Sequence, residues 1–257
     1  MSGDNTVIKA LKLLNYFTTD RPIIGLNELS RLSGYPKASV YRLLCALEKC
    51  GFVTRSKEYD SDRRYQLGIK LFELGMQVYE NIELNKVALP FMKELKDQIN
   101  EAIQLVVRDG DEAVYTEKID SDQVFRLYTA KGRRAPLYAG ASGRVLLAGL
   151  ADEKINSLLD KPLKKFTDKT PVSKEEIWEK ILFIRKNKFS ISKEELWPTS
   201  MEIAVPIYDQ TGSIIASLSA AGPLFRMTED KINFFVKKLH QYASLISHQL
   251  GFIEKKR

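Results

Sequence analysis

The sequence predicts an α+β protein in two parts: a head of three short helices with a strand hairpin, then a larger domain of strands interleaved with helices. Three observations carry this. Apolar residues recur at helical spacing three times before position 50, alternating strand-like runs appear after position 102, and 257 residues suit two domains. Composition is globular, 44% hydrophobic and 28% charged.

The first helix is read from "TVIKALKLLNYF" (6–17), where Val7, Ala10, Leu11 and Leu14 predict a buried stripe. "LNELSRLS" (26–33) supplies the second. Asn27 suits an N-cap, Glu28 the positive end of the dipole, and Leu26, Leu29 and Leu32 a buried edge. Gly34 suits a left-handed stop, and Pro36 the first turn of a third helix, where its missing N–H costs nothing. Along that helix Val40, Leu43, Leu44 and Leu47 form one apolar stripe. Opposite lie Ala38, Arg42, Cys45 and Lys49, with Ser39 and Tyr41 on the flanks. Two helices joined by a tight glycine turn make a helix-turn-helix.

Gly51 ends the third helix, and "FVTRS" (52–56) and "RRYQLG" (63–68) read as strands around the polar turn "KEYDSD". A hairpin in this position is a wing. A helix of this size fits the major groove of double-stranded DNA, with its first turns nearest the base edges. Lys37, Ser39, Tyr41 and Arg42 are therefore candidate contacts to bases and phosphates, and Arg63 and Arg64 to phosphates or a minor groove. The competing expectation is a head that docks on protein, and salt sensitivity separates the two. Net charge is +7, but residues 1–80 carry 12 Lys and Arg against 9 acids, and the remainder 28 against 24. The excess is spread along the chain, so placement of particular residues decides, not bulk charge.

"IKLFELGMQVYENI" (69–82) predicts a linker helix, apolar on more than one face through Ile69, Leu71, Phe72, Met76, Val78, Tyr79 and Ile82. It packs either on a partner or on its own domain. "AIQLVVRD" and "EAVYTEKI" flank an Asp-Gly turn at 109–110, a hairpin signal, and "VFRLYTA" (124–130) reads as a third strand. Helices are expected over "SGRVLLAGL", "DEKINSLL", "KEEIWEKILFIRKN" (174–187) and 228–250, and a strand pair over "MEIAVPIYD" and "SIIASLSAAG". The whole describes a sheet with one covered face.

"LSGYPKASVYRLLCALEKCGFV", "RRYQLGIKLFELG", "VVRDGDEAVYTEKIDS", "GRRAPLYAGASGRVLLA", "EELWPTSMEIAVPIYD" and "SLSAAGP" together resemble the isocitrate-lyase regulator (IclR) family of bacterial transcription factors, in order and over essentially the full chain. The resemblance implies a winged helix-turn-helix over 1–68, a linker and dimerisation helix over 69–82, and a GAF/PAS-like effector-binding domain over 83–257. It favours the partner-packing reading of the linker, hence a homodimer or tetramer on a near-palindromic operator. It also implies a small-molecule effector, an organic or sugar acid, held by Ala141, Ser142, Ser192, Glu202, Ser219 and Ala221.

The small residues Ala139 to Gly143 precede a helix, so they either pack closely or present amides to an anion. Glu202 departs from the family pattern, which has a small neutral residue there. It repels an anionic ligand unless it is protonated, paired with a cation such as Arg144, or turned outward; alternatively it accepts hydrogen bonds from a sugar-like ligand. A P-loop, a dinucleotide fingerprint and G-x-S-x-G are all absent, and His240 and His248 lie eight apart, not at metal-pair spacing. A regulator without cofactor or metal is expected; the alternative is an enzyme that processes small molecules. Cys45 and Cys50 sit five apart in one helical stretch, which disfavours a mutual disulfide and suits a cytoplasmic protein. "VLLAGLA" is far too short for a membrane span, and the N-terminal stretch lacks the pattern of a secretion signal.

Overall fold

The computed structural model describes residues 2–18, 20–56, 64–81, 83–127 and 129–253, without the side chains of 2–5 and 78–81. The chain divides into two compact units, Met1–Ile82 and Glu83–Arg257. Arg63 and the 57–62 turn lie outside the described residues.

The first unit contains α1 (Ser2–Leu14), β1 (Ile23–Gly25), α2 (Leu26–Ser33), α3 (Lys37–Lys49), β2 (Val53–Arg55), β3 (Arg64–Leu67) and α4 (Ile69–Asn81). α3 buries Val40, Leu43, Leu44 and Leu47 as its spacing predicts. They meet Leu13, Phe17, Ile24, Leu29, Val53 and Tyr65 in one core. Gly34 closes α2 at φ 70°. Pro36, at φ −55° and ψ 138°, is the N-cap of α3 and not its first helical residue.

Three expectations change here. Asn27 is not the N-cap of α2: Gly25, two residues earlier, holds that position and the helix begins at Leu26. Val7 and Leu11 are exposed, while Leu13 and Phe17 are buried. Ala10, Leu13, Leu14 and Phe17 have the same i, i+3, i+4, i+7 spacing, and that bulkier stripe faces the α2–α3 core. β1 joins the hairpin, giving an antiparallel sheet in the order β1-β3-β2 with Ile24 opposite Tyr65.

The second unit contains α5 (Glu83–Ile99), β4 (Ala102–Asp109), β5 (Glu112–Ile119), β6 (Arg134–Pro136), α6 (Ala141–Ala148), α7 (Asp152–Leu159), α8 (Lys174–Asn187), β7 (Ser190–Lys193), β8 (Ser200–Tyr208), β9 (Ile214–Pro223) and α9 (Glu229–Gln249). The sheet is antiparallel, ordered β6-β5-β4-β9-β8-β7. Residues 124–127 form no strand: Val124 and Phe125 are exposed, and the β5 edge pairs with Arg134–Pro136 instead.

Helices cover both faces of this sheet, not one. Met201, Ile203, Val205 and Ile207 of β8 pack with Ala216, Leu218 and Ala220 of β9 under α5 and α9. The alternate residues turn toward α6, where Ala204 packs with Val145 and Ile181. On that second face the middle of β9 carries the small residues Ser217, Ser219 and Ala221, and Ile214 at its start packs against the far end of α6. Gly143 is needed where α6 meets the end of β6: a Cβ there would stand 2.7 Å from the Pro136 carbonyl oxygen.

Candidate functional site

The outward face of α3 is the first candidate. Lys37, Ala38 and Arg42 are exposed, Ser39, Tyr41 and Cys45 are half-buried, and Lys49 is exposed at the C-terminal end. Among the described residues no carboxylate pairs with Lys37, Arg42 or Lys49, whereas Arg55 of β2 is held by Glu48 at 3.1 Å. Unpaired cations on a helix face are free to meet phosphate. Arg64 is half-buried on β3 opposite Gly25, so it is tied to the sheet more than a wing-tip residue would be.

The second candidate lies under α6. Register places Ser192, Glu202 and Ala221 side by side across β7, β8 and β9, and Ala204, Ser219 and Gln104 in the next row of that face. Six residues inferred from the resemblance, Ala141, Ser142, Ser192, Glu202, Ser219 and Ala221, therefore do gather at one place. A cavity of about 30 Å³ opens there, lined by Ser192, Glu202 and Ala221 together with Gln104, Tyr115, Thr129, Arg133, Leu196 and Trp197. Ala141, Ser142, Gly143 and Ser219 are buried behind that lining.

Glu202 explains why. Its carboxylate accepts the Ala141 amide at 2.8 Å, the Ser142 amide at 3.3 Å and the Ser142 hydroxyl at 2.5 Å. The amides expected to face a ligand anion are thus occupied by an anion of the chain itself. Glu202 is neither turned outward nor paired with Arg144. Arg144 is buried and donates to the Glu195 carboxylate, to the Ile191 carbonyl at 3.0 Å and to the Tyr138 carbonyl at 3.5 Å. Glu195 also accepts the Gly140 amide at 3.1 Å, so two carboxylates serve the turn entering α6. Gly140 itself has φ +82°, a conformation other residues adopt only with strain.

Gln104 donates to Thr129 at 2.8 Å and accepts from Ser219 at 3.4 Å, which fixes its amide at the cavity wall. Burial pushes the Tyr115 phenol well up, the Glu202 charge adds to this, and the Arg133 guanidinium opposes it. Arg133 lies 4.8 Å from the Trp197 ring centroid and 5.7 Å from that of Tyr115. Gln104, Tyr115, Arg133, Glu195 and Trp197 were not singled out by sequence reasoning. Period-2 counting back from Val106 would have put Gln104 on the right face; nothing local marks Arg133 or Glu195.

An outward cationic helix in a helix-turn-helix head, followed by a sheet domain with a small polar cavity, is the architecture of a bacterial transcriptional regulator with an effector domain. Residues 6–57 match the IclR helix-turn-helix domain and residues 76–248 the C-terminal domain of the bacterial transcriptional regulator IclR. The chain belongs to the IclR family. It is 37% identical to the HTH-type transcriptional regulator KipR of Bacillus subtilis, over 97% of this chain and 98% of that one. With the HTH-type transcriptional regulator KdgR of Escherichia coli it shares 34%, over 96% and 93%. The crystal structure of Thermotoga maritima IclR superposes with a TM-score of 0.77 at 28% identity, over 96% and 99%. These relatives are named as regulators, not enzymes. Among the described residues, no helix is long and apolar enough to cross a membrane.

Proposed function

We propose that the protein is a sequence-specific DNA-binding regulator whose operator affinity is set by a small metabolite in the cavity beneath α6. The observation that carries it is the outward face of α3, where Lys37 and Arg42 stand exposed and unpaired among the described residues. Residues 1–68 bind DNA, 69–82 link, and 83–257 bind the effector. Lys37, Ser39, Tyr41 and Arg42 approach base edges and phosphates, and Arg63 and Arg64 of the wing hold the backbone.

A homodimer or tetramer presents two copies of α3 to a near-palindromic operator, with half-sites about one helical turn apart or a multiple of it. Supporting this, α1 exposes Val7, Ile8 and Leu11, and α4 exposes Ile69, Phe72 and Met76, more apolar surface than a solitary head needs. Effector and DNA communicate only if the ligand prefers one arrangement, and a typical coupling is about 1–3 kcal/mol. The test is binding of operator-length DNA by fluorescence anisotropy across a salt series, with and without a metabolite mixture. Affinity falling steeply with salt and shifting with metabolites supports the proposal. Salt-insensitive binding overturns its DNA half, and indifference to every metabolite its effector half.

A further inference from the structure

The cavity beneath α6 holds one acid and one cation, and the fold uses them differently. Glu202 commits Oε2 to the Ala141 and Ser142 amides and Oε1 to the Ser142 hydroxyl, yet it still lines the cavity. A carboxylate oxygen has two lone-pair sites, so Oε1 keeps one acceptor position. Arg144 does not line the cavity, being buried on Glu195 and backbone carbonyls. Arg133 is half-exposed and rests against the Trp197 and Tyr115 rings. Among the described residues its guanidinium forms no salt bridge and no hydrogen bond, so its donors are uncommitted. The Tyr115 phenol responds to both charges in opposite senses, which places acid and cation within electrostatic reach of one hydroxyl. Ser192 and Gln104 add neutral polar groups to the same wall.

Taking this cavity as the effector site, as proposed above, we infer that the effector is a small amphoteric molecule, with a carboxylate for Arg133 and an N–H donor for Glu202. The donor is an ammonium, as in an amino acid, or an amide N–H, as in an acylated or cyclised one. A plain organic acid has only half of this complement. Its charge can reach Arg133, but nothing on it answers Glu202, and at the end of α6 it meets a carboxylate already in place. A plain amine has the opposite defect. Size adds a limit. At about 30 Å³ the cavity admits a ligand of several heavy atoms only when Leu196 and Trp197 swing away. Trp197 is 53% exposed, and Leu196 already reaches within 2.8 Å of where a Gly140 Cβ would be.

The test is calorimetric titration of the full-length protein with four probes: L-alanine, N-acetylglycine, propionate and pyruvate. All four carry a carboxylate, and only the first two carry N–H. The expected result is that the better of the two N–H probes binds at least about tenfold tighter than either propionate or pyruvate. Glu202→Gln narrows that ratio by weakening the N–H probe and strengthening pyruvate. Arg133→Met weakens every probe that binds, and circular dichroism melts confirm that both variants fold. Propionate or pyruvate binding as tightly as the N–H probes overturns the inference. So does failure of both N–H probes to bind at millimolar concentration, or an unchanged ratio in Glu202→Gln. The same probes added to the DNA-binding assay separate this from the broader proposal. A nitrogen-free acid that binds and shifts DNA affinity leaves the effector site standing while the amphoteric ligand falls. N–H probes that bind without moving DNA affinity do the reverse.

Discussion

Two helix N-termini in this molecule face the same physical demand and meet it in opposite ways. α3 begins at Lys37 behind Pro36, and among the described residues no side chain accepts from its first amides. α6 begins at Ala141 with the Glu202 carboxylate already on its first two amides. Both ends carry the partial positive charge of aligned peptide dipoles. One is left to the surroundings, with exposed Lys37 and Arg42 reinforcing it; the other is neutralised from within. A helix N-terminus is therefore no evidence for an outside anion until every acceptor in the chain has been counted.

The charged groups around the two ends follow the same division. Beside α3 they stand in water, where their value lies in long-range attraction and their pairing energy is small. Beside α6, Arg144 and Glu195 are both buried, and a lone charge there has nowhere to go. The largest expected effect follows. Glu195→Leu strands the Arg144 guanidinium and costs the C-terminal unit about 3–5 kcal/mol in urea unfolding, while the double variant Arg144→Met/Glu195→Leu recovers most of it. A double variant no more stable than the single one would show that packing, not charge, dominates there.

Next in size is Arg42→Ala. It should cost about 1–3 kcal/mol of operator binding and relax base preference at one position per half-site, read by competition with single-base operator variants. Uniform weakening on every sequence would move Arg42 from base reading to phosphate holding. The smallest effect sharpens the comparison most directly. Glu202→Ala removes the internal anion from α6 and should lower stability by about 1 kcal/mol, the usual scale for losing an N-cap. Added formate should restore part of the loss, because the vacated amides then resemble those of α3. A melting curve indifferent to formate would mean that side chains refill the gap.

Much of the fold was legible because its signals are local. The stripe Val40, Leu43, Leu44 and Leu47 needs only neighbours within three turns, and the helix over 174–187 has a Ser173 cap that accepts the Glu176 amide. The misplaced face of α1 has an equally local cause: two interleaved stripes satisfy the same periodicity, and only the core shows which one is buried. The absent strand after 123 failed on competition for an edge, which no window of seven residues reveals. The candidate site was harder still. Glu202 and Ser142 lie 60 residues apart in sequence, and Arg133 reaches Trp197 from 64 positions away. The resemblance named positions that lie together beneath α6, yet it implied an external anion at amides where the structure has the Glu202 carboxylate.

That internal anion has an evolutionary side. The fold calls for a negative charge at the start of α6, but which molecule provides it rests on one codon in β8. A glutamate codon becomes an alanine or glycine codon by a single base change, and with that change the requirement passes from the protein to its ligand. Under the proposed effector site, that single change would turn a preference for N–H ligands toward plain acids without rebuilding a wall of the cavity.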